Sequence, residues 1–245
     1  MRDGVACDIR FVEPPAQPLE LPGVDVIWQR EAERRRQLLI ADMDSTMITV
    51  ECIDELADYA GVRAEVAAVT ERAMRGELDF AQSLVARVGL LAGLSEHTLA
   101  ECLRERVRAT GGAEELIRSF RASGGTTLLV SGGFAHFAEP VARLLGFDRA
   151  IANRLVVKDG CLTGEVELPI VDALAKRVVL LDALAEQNLR LVASVAIGDG
   201  ANDIPMLTTA RLGIAYHAKP KVAASASARV RHGDLQVVSY ALGLK

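Results

Sequence analysis

The sequence contains few aromatic residues, no long apolar run and no long basic run, and each of these shortages excludes a class of protein. Aromatic residues make up 4% of the 245 positions and hydrophobic residues 50%, which predicts an aliphatic core. No apolar run approaches the roughly 20 residues of a membrane-spanning helix, and the first residues lack the apolar segment of a secretion signal. A net charge of −5 without a basic run disfavours nucleic acid or an anionic membrane as a partner. We therefore expect a soluble, cytoplasmic protein.

Cysteine and proline are also scarce. The four cysteines lie far apart and form no Cys-X-X-Cys pair, so we expect reduced thiols and no zinc site. Half of the eight prolines fall in residues 14–22, where they exclude a helix and disfavour a central strand. We expect residues 1–37 to form a tail or linker, with a short Arg-rich helix over 27–37.

The sequence does contain a short apolar run, Leu38–Ala41, that ends in two aspartates. The run is short and lacks helical periodicity, so it predicts a buried strand. Asp42 and Asp44 follow it, and their carboxylates converge on one small volume whether the strand continues or curls into a loop. Two unpaired carboxylates there repel each other, and a divalent cation that prefers oxygen ligands would relieve the repulsion. Two solvated loop acids would have the same pattern, and the stretch alone does not decide between these interpretations.

The rest of the chain is first helical and then alternates between strands and helices. Helical spacing covers 51–110, and the alternation after it predicts a parallel sheet with right-handed crossovers. Ligands of such sheets bind beyond the carboxyl ends of the strands, and Asp42, Ser131 and Asp199 each follow a predicted strand. The strands predicted after residue 110 are 126–130, a hairpin of 151–157 with 161–166, 191–197 and a short strand of 213–215.

Two of these strand ends carry residues that suit phosphate or a metal ion. Ser131-Gly132-Gly133 stands before a helix, where glycine lets backbone N–H groups approach an anion closely. Gly198-Asp199-Gly200-Ala201-Asn202-Asp203 places three polar side chains in one tight turn. Either turn is also compatible with an ordinary solvated loop. A helix between them begins with two cations, Lys176 and Arg177, and the local pattern does not decide which one would face a phosphate.

An arginine interrupts an apolar face in the helical stretch. Asp79 is suited to cap a helix whose apolar stripe, at helical spacing, contains Phe80, Leu84, Arg87 and Leu91. Arg87 either extends past the stripe to solvent or holds an anion at the wall of a pocket.

These stretches resemble one family. Asp42-Met43-Asp44-Ser45-Thr46 after a strand resembles motif I of the haloacid dehalogenase (HAD) superfamily. The residues that follow it, 47–57, resemble the phosphoserine phosphatases of that superfamily. Residues 70–80 and 215–221 extend the resemblance. It implies an α/β fold, in which a three-layer, Rossmann-like parallel sheet forms the HAD core and carries an inserted helical cap domain. The implied divisions are a tail of 1–37, a core of 38–50 and 111–245, and a cap of 51–110.

The resemblance also implies a reaction. It is the Mg²⁺-dependent hydrolysis of O-phospho-L-serine to L-serine and phosphate through an aspartyl-phosphate, the last step of serine biosynthesis. Asp42 would be the nucleophile, and Asp44 would act first as a general acid and then as a general base. Mg²⁺ would be held by Asp42, the backbone carbonyl of Asp44 and Asp199, while Asp203 would orient this set from behind.

The substrate residues follow from the resemblance as well. Those implied to contact the substrate are Glu51, Met74, Phe80, Arg87, Ser131, Gly132, Lys176 and Asn202. Among them, Lys176 occupies the position of the motif III lysine and would bind the phosphate. Glu51 would receive the substrate ammonium, and Arg87 would bind its carboxylate bidentately. Met74 and Phe80 would line the closing cap and exclude water.

Two other functions stay open. The first is a HAD phosphatase or phosphotransferase acting on another small phospho-amino acid, such as phosphothreonine or phosphohomoserine. The second is a non-catalytic protein that binds Mg²⁺, although the complete set of acids and the lysine argue against it. One departure from the family is Gly111-Gly112, which replaces a usual Pro-Gly at the cap hinge and leaves the chemistry unaffected. We expect a monomer or a homodimer.

Overall fold

The computed structural model describes residues 5–13 and 19–244, so Pro14, Pro15 and Pro18 of the proline-rich segment lie outside the described residues. Six strands form one parallel sheet in the order β3-β2-β1-β6-β7-β8, and β4 and β5 form a separate antiparallel hairpin. In chain order the strands are β1 (Leu38–Ala41), β2 (Thr126–Phe134), β3 (Arg149–Asn153), β4 (Leu155–Lys158), β5 (Cys161–Val166), β6 (Ser194–Gly198), β7 (Leu212–Tyr216) and β8 (Ala228–Val230).

The central strand β1 is the one that its apolar sequence predicts. All four of its side chains are fully buried, and it pairs in parallel with β2 on one side and β6 on the other. The carboxyl ends of these three neighbours therefore lie side by side at one edge of the sheet. That arrangement brings Asp42, Ser131 and Asp199 together, although they are far apart in the chain.

Alternate residues of the central strands pack into two separate apolar clusters. Leu39 and Ala41 belong to one cluster, while Leu38 and Ile40 belong to the other. Because successive side chains of a strand point to opposite faces, these clusters lie on the two sides of the sheet, and helices cover both. The predicted α/β sheet with three layers is confirmed.

Five helices lie between β1 and β2, and the first four of them fall in the stretch 51–110 that the sequence predicts to be helical. The third of the five, Phe80–Gly89, is capped by Asp79 as predicted, since the Asp79 carboxylate accepts a hydrogen bond from the backbone N–H of Gln82, whose side chain accepts one from Asp79 N–H. The helices are α1 (Cys52–Tyr59), α2 (Arg63–Met74), α3 (Phe80–Gly89), α4 (Glu96–Arg106), α5 (Ala113–Ala122), α6 (Ala135–Leu145), α7 (Ala173–Glu186), α8 (Ile204–Thr209), α9 (Pro220–Ser225) and α10 (Gln236–Leu242). None of the helices in the described part of the chain combines the length and the apolar character needed to cross a bilayer.

The two segments that connect α1–α4 to the sheet run beside each other. Thr49 N–H donates to the carbonyl of Arg108 at 3.0 Å, and Thr110 N–H donates to the carbonyl of Met47 at 3.0 Å. This short antiparallel contact is where the four-helix insertion leaves and rejoins the sheet. The division of the chain at 50/51 and 110/111 into core and cap stays a prediction.

Two predictions about the ends of β2 and β3 are wrong. The predicted hairpin of 151–157 with 161–166 is shorter, because residues 151–153 belong to β3 in the main sheet. Asn153 fixes this part of the chain, since its side chain accepts from Val171 N–H at 2.7 Å and donates to the carbonyl of Gly132 at 2.9 Å. The turn predicted at 131–133 is a continuation of β2, with irregular pairing to β3 between Val130 and Phe134.

Two further element predictions are also wrong. The predicted helix over 27–37 is only a 3₁₀ turn, Glu31–Glu33. Its Arg-rich sequence serves tertiary contacts instead, because Arg34 donates to the carbonyls of Tyr240 and Ala241 near the end of α10. The strand predicted from residue 191 begins at Ser194, after a 3₁₀ turn.

Candidate active site

Three carboxylates converge at the edge of the sheet. Asp42, Asp199 and Asp203 each place an oxygen within 4.8 Å of the others. Asp42 directly follows β1 and Asp199 directly follows β6, so the pairing of these two strands is what brings them together. Asp42 is 5% exposed and Asp203 is fully buried. Water therefore screens the repulsion between these carboxylates poorly, and their ionised forms need a positive group nearby.

One positive partner comes from α7. The Lys176 side chain is completely buried, and its Nζ donates to Asp42 Oδ1 at 2.6 Å and to Asp203 Oδ1 at 2.7 Å. Burial opposes the charged ammonium, but Asp203 and Asp42 outweigh it and raise the pKa of Lys176 above its ordinary value. The choice that the local sequence left open is thereby decided, since Arg177 is exposed and donates to Thr209 Oγ1.

The positive charge of Lys176 does not offset all of the negative charge of the acids around it. Burial, followed by the repulsion of Asp203, raises the pKa of Asp42 well above its ordinary value and that of Asp199 to about 6. Burial, followed by the charge of Glu51, raises the pKa of Asp44 to about 7. Raised pKa values in three neighbouring acids are typical of a functional site, and the oxygens of these acids suit a cation.

The donor set fits a divalent cation that prefers oxygen ligands. Asp42 and Asp199 have oxygens that face the cluster, and Thr46 Oγ1 donates to Asp199 Oδ1 at 2.9 Å, which orients that carboxylate. Both oxygens of Asp203 are already engaged, one by Lys176 and the other by the backbone N–H of Gly200 at 3.0 Å. This engagement favours an orienting role for Asp203 behind the direct ligands.

The backbone of residues 131–133 packs closely against Asp44 and Phe80. A Cβ built on Gly133 would lie 2.6 Å from Asp44 Oδ2, and a Cβ built on Gly132 would lie 2.7 Å from Cζ of Phe80. The two glycines are therefore required because Asp44 and Phe80 approach the backbone more closely than a side chain would permit. The Ser131 hydroxyl accepts a hydrogen bond from Gly133 N–H at 2.8 Å.

Contacts place some of the residues predicted to bind the substrate near this point. Phe80 and Asn202 both lie near Gly132. Arg87 is partly buried, and burial lowers the pKa of its guanidinium while Asp54, Glu51 and Asp44 act in the opposite direction. Met74, by contrast, is 69% exposed, so its role in closing the cap stays a prediction.

Two residues with clear roles in the geometry were missed by the sequence analysis. Thr46 lies inside the first motif, and its contact with Asp199 depends on β1 and β6 being neighbours. Asn153 connects Gly132 of β2 to the segment before α7 by hydrogen bonds, and it is 2% exposed. A polar residue in an apolar run was the available signal for Asn153, because buried amides are nearly always hydrogen-bonded.

The chain is similar to proteins of known family. The model of the haloacid dehalogenase-like hydrolase family matches residues 39–208. A phosphoserine phosphatase of Haemophilus influenzae is 48% identical over 198 residues, which are 81% of this chain and 63% of that protein. A phosphoserine phosphatase of Albidiferax ferrireducens is 44% identical over 204 residues, which are 81% of this chain and 86% of that protein. The chain therefore spans less than two thirds of the first relative and most of the second.

Solved structures agree with the sequence comparison. A phosphoserine phosphatase solved as a phospho-aspartyl intermediate analogue superposes with a TM-score of 0.78 at 40% identity. The match covers 84% of this chain and 98% of that one.

Proposed function

This chain belongs to the haloacid dehalogenase-like hydrolase family, as its first motif predicts, and we propose that it hydrolyses O-phospho-L-serine to L-serine and phosphate. The observation that carries the proposal is the buried contact between Lys176 and Asp42, which sets a phosphate-binding cation beside a nucleophile. Its similarity to phosphoserine phosphatases supports the choice of substrate. By the same resemblance, the reaction is the last step of serine biosynthesis.

Two aspartates divide the chemistry between them. A carboxylate oxygen of Asp42 attacks phosphorus, the bond to the serine oxygen breaks, and an aspartyl-phosphate forms. Asp44 gives its proton to the departing serine oxygen and later takes one from the water that hydrolyses the intermediate. Because burial raises its pKa to about 7, Asp44 holds that proton near neutral pH. Lys176 and the segment of β2 at Ser131 and Gly132 receive the phosphate oxygens.

The cation of the site is proposed to be Mg²⁺. Asp42, Asp199 and the backbone carbonyl of Asp44 would hold it, and Asp203 would orient them. When bound, Mg²⁺ supplies a Lewis acid that draws charge from the phosphoryl oxygens. Lys176 neutralises the rest of the negative charge of the acid cluster, through its contacts with Asp42 and Asp203.

Recognition of serine is assigned to the helical insertion. Glu51 stands at the N-terminus of α1 and would pair with the substrate ammonium, while Arg87 on α3 would bind its carboxylate through two parallel hydrogen bonds. Phe80, which lies over Gly132, would separate the reacting atoms from water, and Met74 would join it when residues 51–110 close as a cap. A cytoplasmic location and a monomeric or homodimeric state remain predictions.

The stability of the metal-free protein should depend on pH, and Mg²⁺ should stabilise the protein by an amount that also depends on pH. Asp44 and Asp199 have folded-state pKa values of about 7 and about 6 against 3.8 for the unfolded chain, so the folded state binds more protons between these values. The metal-free protein should therefore lose stability as the pH rises from about 4 to about 7. Mg²⁺ needs the ionised acids, so it should raise the melting temperature more near pH 8 than near pH 5. Calorimetry with and without Mg²⁺, with sodium chloride at matched ionic strength as the control, measures both effects; an equal gain at the two pH values would contradict them.

Phosphate release from a panel of phosphomonoesters tests the proposed function. The panel contains O-phosphoserine, O-phosphothreonine, phosphohomoserine and phosphoethanolamine, each with Mg²⁺ and with a chelator. We expect turnover to require Mg²⁺ and to be fastest for phosphoserine, although one methylene changes binding by only about 1–3 kcal/mol. Equal turnover across the panel would favour a phosphatase without preference for serine.

Replacing Arg87 by alanine should raise KM for phosphoserine by about a hundredfold, since a charge-assisted pair contributes about 1.5–3 kcal/mol. The value of kcat should change much less. Phosphoethanolamine has the ammonium but no carboxylate, so its KM should be the same for the wild type and for Arg87→Ala. An unchanged KM for phosphoserine would show that Arg87 does not bind the carboxylate.

A further inference from the structure

Ser45 connects the catalytic loop to the residue assigned to the substrate ammonium. It follows Asp44 directly, and its hydroxyl donates to Glu51 Oε1 at 2.6 Å. Ser45 belongs to the loop after β1, whereas Glu51 precedes the first helix of the insertion. This hydrogen bond therefore joins the part of the chain that reacts with phosphorus to the part that would recognise serine.

The backbone of Ser45 is held in an unusual conformation. Its φ is +53°, a region that favours glycine, so the surrounding contacts must compensate for a strain of the order of 1 kcal/mol. The compensating contacts are visible, because Ser45 N–H donates to the carbonyl of Val50 at 3.3 Å and Cys52 N–H donates to Asp44 Oδ1 at 3.3 Å. The loop from Asp44 to Cys52 is thus closed by three hydrogen bonds, and Ser45 makes two of them.

The contact leaves half of the Glu51 carboxylate available. Oε1 accepts from Ser45, and Oε2 has no hydrogen-bond or ion-pair partner among residues 5–13 and 19–244. The Glu51 side chain has several rotatable bonds, and fixing one oxygen restricts the positions that the other can occupy. The contact therefore holds the Glu51 carboxylate beside the catalytic loop, one residue from Asp44 in that loop, with its second oxygen open to a ligand.

We propose that Ser45 is a positioning residue that fixes Glu51 for binding the ammonium group of the substrate. The role rests on the proposed function, because it deepens the assignment of Glu51. Ser45 itself touches neither phosphate nor serine in this scheme, and its effect passes through the Glu51 carboxylate. It makes the enzyme selective for phosphomonoesters that carry an ammonium.

Kinetics of Ser45→Ala with two substrates tests this role. For phosphoserine we expect KM to rise about tenfold with kcat within about twofold, as for a lost hydrogen bond to a charged group. Phosphoglycolate carries a carboxylate but no ammonium, so its KM should not change. A KM that rises equally for both substrates would overturn the role of Ser45.

Two further variants separate the hydroxyl from the backbone. Ser45→Gly suits a φ of +53° without strain, so it should fold even where Ser45→Ala does not, and it should show the same tenfold rise. In a Glu51→Gln background, Ser45→Ala should have a much smaller effect than in the wild type, because the two residues act as a unit. A wild-type KM in Ser45→Gly, or strictly additive effects of Ser45→Ala and Glu51→Gln, would overturn the proposal. The absence of phosphoserine turnover in the wild type would overturn the proposed function itself, which is a different result.

Discussion

Asp42→Asn should abolish phosphoserine turnover, with a loss on the order of 10⁵-fold, as for removal of the nucleophile in other covalent enzymes. The amide of asparagine does not attack phosphorus, yet its oxygen can still accept the hydrogen bond from Lys176 that Asp42 accepts at 2.6 Å. The fold should persist for this reason. Removing one of three converging carboxylates should also keep or raise the melting temperature of the metal-free protein, since burial and repulsion already raise the pKa of Asp42.

Three measurements decide this prediction. Phosphate release gives the turnover, trapping of labelled phosphate on the protein after acid quenching reports the aspartyl-phosphate, and calorimetry gives the melting temperature. Asp182→Asn is the matched control, because Asp182 is exposed on α7 and belongs to none of the motifs. Full turnover by Asp42→Asn would show that the mechanism is not covalent through this residue.

Lys176→Met should lower turnover by about three orders of magnitude. At ~4 Å and an effective dielectric constant near 20, one pair of a lysine with a phosphate is worth about 4 kcal/mol. The same substitution should destabilise the metal-free fold by about 3–5 kcal/mol, because Asp42 and Asp203 would lose the buried cation between them. Mg²⁺ should recover part of this stability, since it brings positive charge to the same acids.

The neighbouring cation provides the control. Arg177→Met removes a positive charge one position further along α7, but Arg177 is exposed and pairs with Thr209 rather than with an acid of the site. Turnover and metal-free stability should both change little. Equal losses in Lys176→Met and Arg177→Met would mean that helix stability, and not the buried contact with Asp42, explains the effect.

Much of the fold follows from local patterns. β1 was predicted because four consecutive apolar residues suit a strand covered on both faces, and α3 was predicted because Asp79 precedes an apolar stripe at helical spacing. The errors have one kind of cause. Residues 27–37 contain good helix formers, but Arg34 donates to two carbonyls of α10, and tertiary contacts of this kind override weak local preference.

The sequence by itself determined which residue types stand at the ends of the central strands, because motif and strand are adjacent in the chain and short-range pattern is sufficient for both. The local pattern could not decide between Lys176 and Arg177, which have the same charge on the same helix, although the resemblance to the family points to Lys176. The packing of α7 against the sheet gives the physical reason, because it buries Lys176 against Asp42 and leaves Arg177 in solvent. The contacts of Ser45, Thr46 and Asn153 were decided in the same way, since each depends on the direction of a side chain that folding sets.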